Sequence, residues 1–422
     1  MARSEQPARP VSVLFLHSAT LPPLGADTWV HAQIMRSLDR SAHIVHAACA
    51  PGREGHPSPT YEVLRDVPGL HLVPVNLGPE VSIQRSGWAK FRSLAATVPA
   101  AISFVRLARY VRRHKIDVIH TSDRPRDAAA AVVLARLTGA KSVIHAHVAF
   151  GDWMSRLLKW SMPRADAMIA ISEFVKGSLA ASGHSPATTY VVLNAIDACS
   201  WHPREGRSSG REEVGADDDT PVVITVCRLF PGKGPGELIR ALAEVRRDHP
   251  STRLLVVGED VTPAGTYARE LALLAQELGV AEAVTFTGRR PDVPMLMAAS
   301  DLFAMPSLEE PFGLVYLEAM AMELPVVSLD SGGTPEVVED GRSGLLSRPG
   351  DTRALVANIS ALLSDAALRG RLGTYGRRQV VERFTLRRQA CDVANVYRTI
   401  LWGAPDAPVR AEGAKHASAV AG

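Results

Sequence analysis

Short, mostly apolar runs recur along the chain, separated by longer segments with the roughly 3.6-residue periodicity of amphipathic helices. Continuous apolar runs of this length are typical of strands buried on both faces of a parallel sheet. The predicted strands cover residues 11–16, 43–48, 70–75, 116–120, 143–148, 166–172, 190–194, 221–226, 253–257, 284–287, 302–305 and 325–329. Strands that alternate with helices in this way predict an α/β protein with parallel sheets.

A polar segment over residues 201–220 interrupts this pattern and predicts a linker with a surface helix. A chain of 422 residues is long for one domain and comfortable for two. We therefore expect two α/β domains, one on either side of this segment. Residues 403–422 are rich in Ala, Pro and Gly and predict a disordered tail.

The stretch over residues 301–344 concentrates polar groups at the ends of predicted strands. Glu310 follows one strand, Gly332–Gly333 follows the next, and Glu318 lies on the helix between them. Open parallel sheets bind ligands at the carboxyl ends of their strands. The helix start near Gly313 offers N–H groups and a partial positive charge suited to an anion. The stretch predicts a ligand site, although its acids taken alone are as typical of an ordinary loop and helix surface.

The string PSxEExFGxxxxEAMAxxxPVVxxxxGGxxEVVxxGxxG, residues 306–344, resembles the signature of the retaining glycosyltransferases of family 4. Glu310 and Glu318 match the Glu-x7-Glu motif of that family. The chain departs from the pattern at Glu323-Leu324, because the family usually has a glycine shortly before the Pro-Val-Val strand. The likeness rests on many fixed positions together, which makes it specific.

The resemblance implies the GT-B fold, in which two Rossmann-like parallel-sheet domains face each other across a cleft. It places an acceptor-side domain at residues 1–203 and a nucleotide-sugar-binding domain at residues 204–385. The last helix, residues 386–402, is expected to cross back and brace the first domain. The resemblance covers nearly the whole chain, and its most specific motifs fall within residues 222–344.

Residues 227–234 resemble the family's Gly-Arg-Leu-x3-Lys-Gly motif, with Cys227 in place of the first glycine. Arg228, with its planar fork, and Lys233, as a point charge, can clamp a diphosphate. Further donor contacts are expected in turns after strands and at the helix start, namely at Gly258, Gly288, Arg289, Phe312, Gly313, Leu314, Gly332 and Gly333.

In the first half, the resemblance implies further contacts with the substrates. Gly25 and Ala26 stand where the family carries a Gly-Gly pair that faces the donor phosphate and the acceptor. His147 ends a predicted strand and would contact the transferred sugar; judged from the residues, a structural histidine is an equal alternative. Ser172 caps the next helix, and Asn194 opens a turn that resembles the family's Asn-Gly-Val-Asp. Both are expected to lie on the substrate side.

The function implied is transfer of a sugar from a UDP- or GDP-sugar to an acceptor hydroxyl, with retention at the anomeric carbon. Arg228 and Lys233 would neutralise charge on the leaving diphosphate. Glu318 would hold the ribose, Glu310 the sugar hydroxyls, and His147 would lie over the sugar. A sugar-nucleotide epimerase, a phosphorylase and a binder without turnover stay open as alternatives. No motif identifies the acceptor.

A metal is not expected. His145 and His147 point the same way on a predicted strand, which makes a zinc pair conceivable. No third ligand is evident in the neighbouring sequence, and the run over residues 217–219, three aspartates, predicts a solvated charge run. The resemblance implies that protein cations replace a divalent ion, so we expect no cofactor.

Composition narrows the compartment and the partners. A net charge of +3 gives no argument for nucleic acid as a partner. The cysteines at 49, 199, 227 and 391 lie far apart, which favours a reducing compartment over a disulfide framework. No apolar run has the form of a signal peptide or the length of a membrane span. We expect a cytoplasmic protein.

The segment over residues 87–113 is apolar on one side and rich in Arg and Lys. It predicts either a helix on a membrane surface or a core-facing crossover helix with a basic outer face, and the second is favoured. Peripheral contact with the inner face of the membrane therefore stays open. Trp88, Trp153 and Trp160 are candidates for that contact or for a lipid-linked acceptor.

Overall fold

The computed structural model describes residues 9–18, 25–53, 56–78, 97–183, 188–203 and 205–403. Within these ranges the chain forms two parallel sheets with helices packed against both faces. The predicted α/β class is confirmed. The predicted disordered tail lies outside the described residues, apart from its first residue.

The first sheet contains seven strands in the order β5-β2-β1-β6-β7-β8-β9. These strands are β1 (Val11–His17), β2 (His43–Cys49), β5 (His71–Pro74), β6 (Val118–Ser122), β7 (Lys141–Ala146), β8 (Ala167–Ala170) and β9 (Thr189–Val191). A separate antiparallel ribbon consists of β3 (Gly52–Arg53) and β4 (His56–Pro57). The order of the sheet reverses between β1 and β6, because β2 adds on one side of β1 and β6 on the other.

The second sheet contains six strands in the order β12-β11-β10-β13-β14-β15. They are β10 (Val222–Val226), β11 (Arg253–Val257), β12 (Val284–Gly288), β13 (Leu302–Ala304), β14 (Val326–Leu329) and β15 (Gly344–Ser347). Its order reverses between β10 and β13. Reversal points of this kind are where doubly wound sheets leave a crevice for a ligand.

Helices connect the strands and cover the sheets. They are α1 (Ala26–Ser37), α2 (Pro59–Arg65), α3 (Thr97–Arg113), α4 (Pro125–Thr138), α5 (Arg156–Ser161), α6 (Glu173–Ala181), α7 (Arg207–Glu213), α8 (Pro235–Asp248), α9 (Thr266–Glu277), α10 (Val293–Ala298), α11 (Leu314–Ala321), α12 (Thr334–Val337), α13 (Thr352–Ser364), α14 (Ala366–Arg383) and α15 (Leu386–Trp402).

Both faces of β1 are buried, which explains its continuous apolar sequence. Val13 and Phe15 belong to a core that includes α1 and α15, whereas Leu14 and Leu16 belong to the core with α3 and α4 on the other face. Successive side chains of a strand point to opposite faces. A strand covered by helices on both sides therefore needs apolar residues at every position.

The last helix, α15, packs into the core of the first sheet. Its Val393, Val396 and Tyr397 are buried in the same cluster as Val13 and Phe15 of β1. The chain thus returns to the first sheet after it has completed the second. The division of the chain at residues 203 and 204 stays a prediction.

The segment over residues 201–220 forms the predicted surface helix, α7, with Ser208, Ser209, Glu212 and Glu213 exposed, but its opposite side is docked. Gly210 packs against α10, where a Cβ would lie 2.8 Å from the carbonyl oxygen of Met295. Arg211 is only 2% exposed, and its guanidinium donates to the carbonyl of Ala299 at 2.9 Å. The docking face includes Gly210, Arg211 and Arg207, whose guanidinium donates to the carbonyl of Ala298, and the lack of apolar residues is why the apolar pattern does not reveal it.

No helix among the described residues is long and apolar enough to cross a membrane. The helix predicted from residue 87 is described from Thr97 onwards as α3, because residues 79–96, Trp88 among them, lie outside the described ranges. Only Leu107 and Val111 of its 17 residues are buried.

Candidate functional site

The loops that carry the predicted donor residues meet at the reversal point of the second sheet. The loop after β10 carries Arg228 and Lys233, and the loop after the adjacent β13 carries Glu310. The two connections leave neighbouring strands in opposite directions, which opens a crevice between the loops. The structure thus brings together residues that the sequence presents in separate motifs.

Lys233 and Glu310 form an ion pair between these loops, Nζ to Oε2. Both side chains are largely buried, with 17% and 9% exposed. Ser307 Oγ also donates to Glu310 Oε2, at 3.1 Å. Either charge left alone in this position would lose its hydration without compensation. Each member of the pair therefore holds the other in place at the crevice.

Arg228 and Arg289 present two further cations at the same sheet edge. Arg228 follows β10 and Arg289 follows β12, and both side chains are exposed. Neither guanidinium has an ion pair or hydrogen bond with another residue that the structure describes. An unpaired guanidinium at a strand end can bind an anionic ligand by donating two parallel N–H hydrogen bonds to it.

Three predicted glycines let the loops of the site pack closely. A Cβ on Gly258, whose φ is +139°, would lie 1.8 Å from the carbonyl oxygen of Cys227. A Cβ on Gly332 would lie 2.6 Å from the carbonyl oxygen of Glu310, which also accepts the N–H of Gly333 at 2.7 Å. Only glycine fits such contacts. These glycines position the loops of Arg228 and Glu310, and their contact with the donor stays a prediction.

The start of α11 lies behind Glu310. Gly313 precedes the helix with φ +87°, and a Cβ there would lie 2.3 Å from the ring of Tyr316. The ring of Phe312 is 1% exposed and packs edge-on against Phe384. Leu314 contacts the cores of both halves. At these positions only backbone N–H groups are left for a ligand, together with the helix dipole.

Glu318 lies on α11; part of the residue is exposed, but its carboxylate lies in the interior. Its carboxylate has no hydrogen-bond donor among the residues that the structure describes. Burial without such donors disfavours the charged form and raises the pKa of Glu318 to about 7. A desolvated carboxylate of this kind is stabilised by a ligand that brings hydroxyl donors.

This pKa predicts an unusual dependence of stability on pH. Between about pH 4.5 and pH 7 the folded state keeps a proton on Glu318 that the unfolded state has released. Ionisation of Glu318 therefore lowers the free energy of unfolding as the pH rises from about 4.5 to 7, and the full loss is present above pH 7. Glu318→Gln is expected to raise the unfolding temperature relative to wild type at pH 8 and not at pH 4.5, measured by calorimetry without ligand. Glu382→Gln, at an exposed position on α14, is the matched control; equal shifts at both pH values would contradict the assignment.

An ion pair that sequence reasoning missed lies at the reversal point of the first sheet. Arg124 Nε donates to Asp27 Oδ2 at 2.8 Å, and its Nη2 donates to Oδ1 at 3.2 Å. Burial alone would raise the pKa of Asp27, but the Arg124 guanidinium holds that pKa well below its usual range. A Cβ on Gly25 would lie 2.2 Å from Asp27 Oδ1, and Ala26 opens α1 with its side chain exposed. Neither charged residue belongs to a motif, so the sequence offered no signal for the pair.

His147 follows β7 at the same edge. Its backbone N–H donates to Asp123 Oδ2 at 2.8 Å, and its Nε2 lies 3.3 Å from His31 Nε2. Burial lowers the pKa of His147 to about 4, so its imidazole is neutral at physiological pH. The side chain is partly exposed. A neutral imidazole in this position can accept or donate a hydrogen bond to a sugar hydroxyl.

The fold brings two further histidines to His145, although the neighbouring sequence shows no third ligand; the expectation that no metal binds stays a prediction. One ring nitrogen from each of His31, His120 and His145 lies within 4.8 Å of the other two. The neighbouring sequence gave no sign of them, because His31 comes from α1 and His120 from β6. Only the fold places these residues beside β7.

Ser172 and Asn194 make contacts between the two halves of the chain. Ser172 Oγ donates to the carbonyl oxygen of Pro311 at 2.6 Å, and Asn194 Oδ1 accepts from Gln389 Nε2 at 3.2 Å. The Glu336 carboxylate accepts from the first two N–H groups of α6 at 2.7 and 2.8 Å. The predicted contacts of Ser172 and Asn194 with the substrates stay predictions.

Two family profiles match the chain in succession. Glycosyltransferase Family 4 matches residues 25–198, and Glycosyl transferases group 1 matches residues 207–379. A GDP-mannose-dependent alpha-(1-6)-phosphatidylinositol monomannoside mannosyltransferase of Mycolicibacterium smegmatis is 32% identical over 336 residues, 74% of this chain and 84% of that protein. A D-inositol 3-phosphate glycosyltransferase of Segniliparus rotundus is 36% identical over 252 residues, 58% of this chain and 55% of that protein.

Solved structures share the architecture. Anabaena Alr3699/HepE, in complex with UDP and glucose, superposes with a TM-score of 0.75 and 23% identity over 91% of this chain and 98% of that one. Sucrose-phosphate synthase from Thermosynechococcus elongatus superposes with a TM-score of 0.72 and 23% identity over 92% of this chain and 99% of that one. The fold is GT-B, as predicted. The chain belongs to the group 1 glycosyltransferases of family 4, and the predicted enzyme class, a glycosyltransferase, is confirmed. Retention at the anomeric carbon is consistent with this family.

Proposed function

We propose that this enzyme transfers mannose from GDP-mannose to a hydroxyl of an inositol-containing lipid or its soluble phosphate precursor. The observation that carries the proposal is the similarity, over most of both chains, to a GDP-mannose-dependent enzyme whose acceptor is a phosphatidylinositol mannoside. The second relative also takes an inositol acceptor. Both relatives point to an inositol-containing acceptor, and the first also points to GDP-mannose as the donor.

In the proposed reaction the bond from the anomeric carbon to the diphosphate breaks, and a bond to the acceptor oxygen forms on the same face of the sugar. The acceptor proton leaves to the departing phosphate oxygen. Lys233 and Arg228 stabilise the charge that builds on the diphosphate, where fixed cations contribute most. No divalent ion is required for this step, since the two side chains supply the positive charge.

Glu310 is proposed to accept hydrogen bonds from the transferred sugar, and Glu318 from the ribose. The support for Glu310 is its pair with Lys233, which places a carboxylate next to the cation that meets the diphosphate. The support for Glu318 is its lack of a donor among the described residues and its raised pKa. His147 is proposed to contact the sugar from the first sheet, beside the Asp27–Arg124 pair.

A screen of donors tests the substrate assignment. Purified protein is heated with GDP-mannose, GDP-glucose, UDP-glucose and UDP-galactose, and the unfolding temperature and nucleotide release are measured. GDP-mannose is expected to raise the unfolding temperature most, and GDP release is expected to increase when phosphatidylinositol mannoside is added. Stabilisation by UDP-glucose without an effect of GDP-mannose would contradict the donor. Release that does not respond to inositol acceptors would contradict the acceptor.

Contact with the inner face of the membrane is part of the proposal, because a lipid acceptor has to be reached there. The exposed side of α3 carries Val98, Ile102 and Val105, which are 63%, 48% and 46% exposed. The exposed Arg106 and Arg109 follow on the same helix. Apolar residues next to arginines are typical of helices that lie on anionic membranes. One side of α3 faces the core through Leu107 and Val111, as predicted, and the exposed apolar residues on its other side support membrane contact.

Vesicle binding tests the role of α3. The double substitution Ile102→Glu and Arg109→Glu is expected to weaken binding to vesicles of phosphatidylcholine with anionic phosphatidylinositol by about tenfold or more. Val381→Glu with Arg371→Glu, at two exposed positions on α14, is the matched control. Co-sedimentation measures both. Equal loss in the two double variants, or no binding by wild type, would contradict membrane contact through α3.

A further inference from the structure

Several histidine side chains lie together where α1 packs against β6 and β7 of the first sheet. His31 of α1, His120 of β6 and His145 of β7 are each 0% exposed. His31 Nε2 lies 3.1 Å from His145 Nδ1, and His120 Nε2 lies 3.3 Å from the same atom. His147 Nε2 adds a further contact, 3.3 Å from His31 Nε2. Four ring nitrogens thus form one connected group.

Two hydrogen bonds can pair these four nitrogens, His31 with His147 and His120 with His145, but the short contact between His31 and His145 is then left without a hydrogen bond of its own. A ring nitrogen of a neutral imidazole carries either one proton or one lone pair. The three contacts form a chain in which His31 Nε2 and His145 Nδ1 each take part twice. No placement of protons gives every contact its own N–H and its own lone pair. A cation between the rings would accept a lone pair from each of them.

We propose that His31 Nε2, His120 Nε2 and His145 Nδ1 bind a divalent transition-metal ion, with Zn²⁺ as the best fit. Zinc takes imidazole nitrogens at about 2.0–2.1 Å in tetrahedral geometry, which separates the ligand nitrogens by roughly 3.3 Å. The separations of His145 Nδ1 from His31 Nε2 and from His120 Nε2, 3.1 and 3.3 Å, match that value, and one ring nitrogen from each of the three residues lies within 4.8 Å of the other two. Imidazole sites of this type also accept Co²⁺ and Ni²⁺.

The surroundings supply outer hydrogen-bond partners for two of the three ligand histidines, whereas the buried Nε2 of His145 has no partner among the described residues. His31 Nδ1 lies 2.8 Å from His17 Nε2, and His120 Nδ1 lies 2.6 Å from the hydroxyl of Tyr397. In the metal-bound form each Nδ1–H donates to that partner, which leaves Nε2 with its lone pair toward the ion.

The position of the site defines what the ion would do. It would join α1 to β6 and β7, and through Tyr397 it would join them to α15. The start of α1 carries Gly25 and Asp27 at the reversal point of the first sheet, and the partly exposed His147 lies on the side by which an ion can enter. The ion would be structural, because it would hold these elements together beneath the predicted acceptor side of the cleft. The diphosphate-binding cations belong to the second sheet, so this inference does not depend on the proposed donor.

Metal uptake by the whole chain tests the proposal. Purified protein is stripped with dipicolinate, shown by circular dichroism to be folded, and titrated with Zn²⁺ and with Co²⁺. One tightly bound ion per chain is expected, with a rise in unfolding temperature and the visible absorption of tetrahedral Co²⁺. A folded, stripped protein that binds neither ion stoichiometrically would overturn the proposal.

Substitutions assign the binding to these residues. His145→Gln and His31→Gln are expected to abolish stoichiometric binding. Tyr397→Phe, which removes the partner of His120, is expected to weaken binding about 10- to 100-fold and keeps the fold testable if the other variants do not fold. His46→Gln is the matched control, because His46 is buried but pairs with Ser12 and Tyr110 instead. Wild-type affinity in Tyr397→Phe together with loss in His46→Gln would place the ion elsewhere and refute the assignment.

Discussion

Lys233→Ala is expected to lower kcat/KM for sugar transfer by about 10²- to 10³-fold. The ammonium lies at the reversal point of the second sheet, next to Glu310 and largely shielded from water. Charge on the diphosphate grows as its bond to the sugar breaks, so this cation acts more strongly on the transition state than on the bound donor. The loss should therefore appear mainly in kcat, measured from the initial rate of nucleoside diphosphate release at saturating donor.

Two further variants separate catalysis from folding. Lys233→Arg keeps the charge but changes its geometry, and it is expected to recover part of the rate. Arg371→Ala removes a cation from an exposed position on α14 and is expected to leave the rate unchanged. A Lys233→Ala protein with wild-type kcat and an intact circular dichroism spectrum would refute the role of this lysine.

Glu310→Gln is expected to reduce kcat by about 10²-fold, because it changes both the sugar contact and the position of Lys233. The carboxylate accepts from Lys233 Nζ and from Ser307 Oγ on the same oxygen. A neutral amide keeps the volume but no longer attracts the ammonium. The lysine is then free to move out of line with the diphosphate. Steady-state rates with the same donor and acceptor measure the effect.

Glu309→Gln is the matched control, since Glu309 precedes Glu310 but has an exposed side chain. It is expected to keep wild-type rates. The double variant Lys233→Ala with Glu310→Gln is expected to lose less than the product of the two single losses, because residues in contact are not independent. Strict multiplication of the effects would mean that the pair does not act as a unit.

The fold could be predicted to a large extent from the sequence because buried parallel strands leave continuous apolar runs. Those runs predicted every strand of the first sheet and five of the six strands of the second to within a few residues, and the motif over residues 306–344 indicated the family. The short strand β15 (Gly344–Ser347) was not predicted. The docking of α7 was not predictable in the same way. Its contact face includes Gly210, Arg211 and Arg207, and none of them contributes to an apolar pattern.

The candidate site was predictable where a motif carries it and not elsewhere. Arg228, Lys233 and Glu310 fall in the matched motifs, and the structure brings their loops to one reversal point. The Asp27–Arg124 pair and the imidazole group join residues that are far apart in the chain. Periodicity reports which face of an element is buried, but it does not report which polar side chains meet inside.

The place of α15 in the first sheet has a consequence for synthesis on the ribosome. When the first half of the chain emerges, the cavity that Val393, Val396 and Tyr397 will fill is still open. Part of the apolar core of the nascent first domain therefore stays exposed until nearly the whole second domain has been translated. Chaperone contacts are expected to persist until α15 leaves the exit tunnel. Premature termination before α15 should yield an aggregation-prone fragment rather than a half-enzyme.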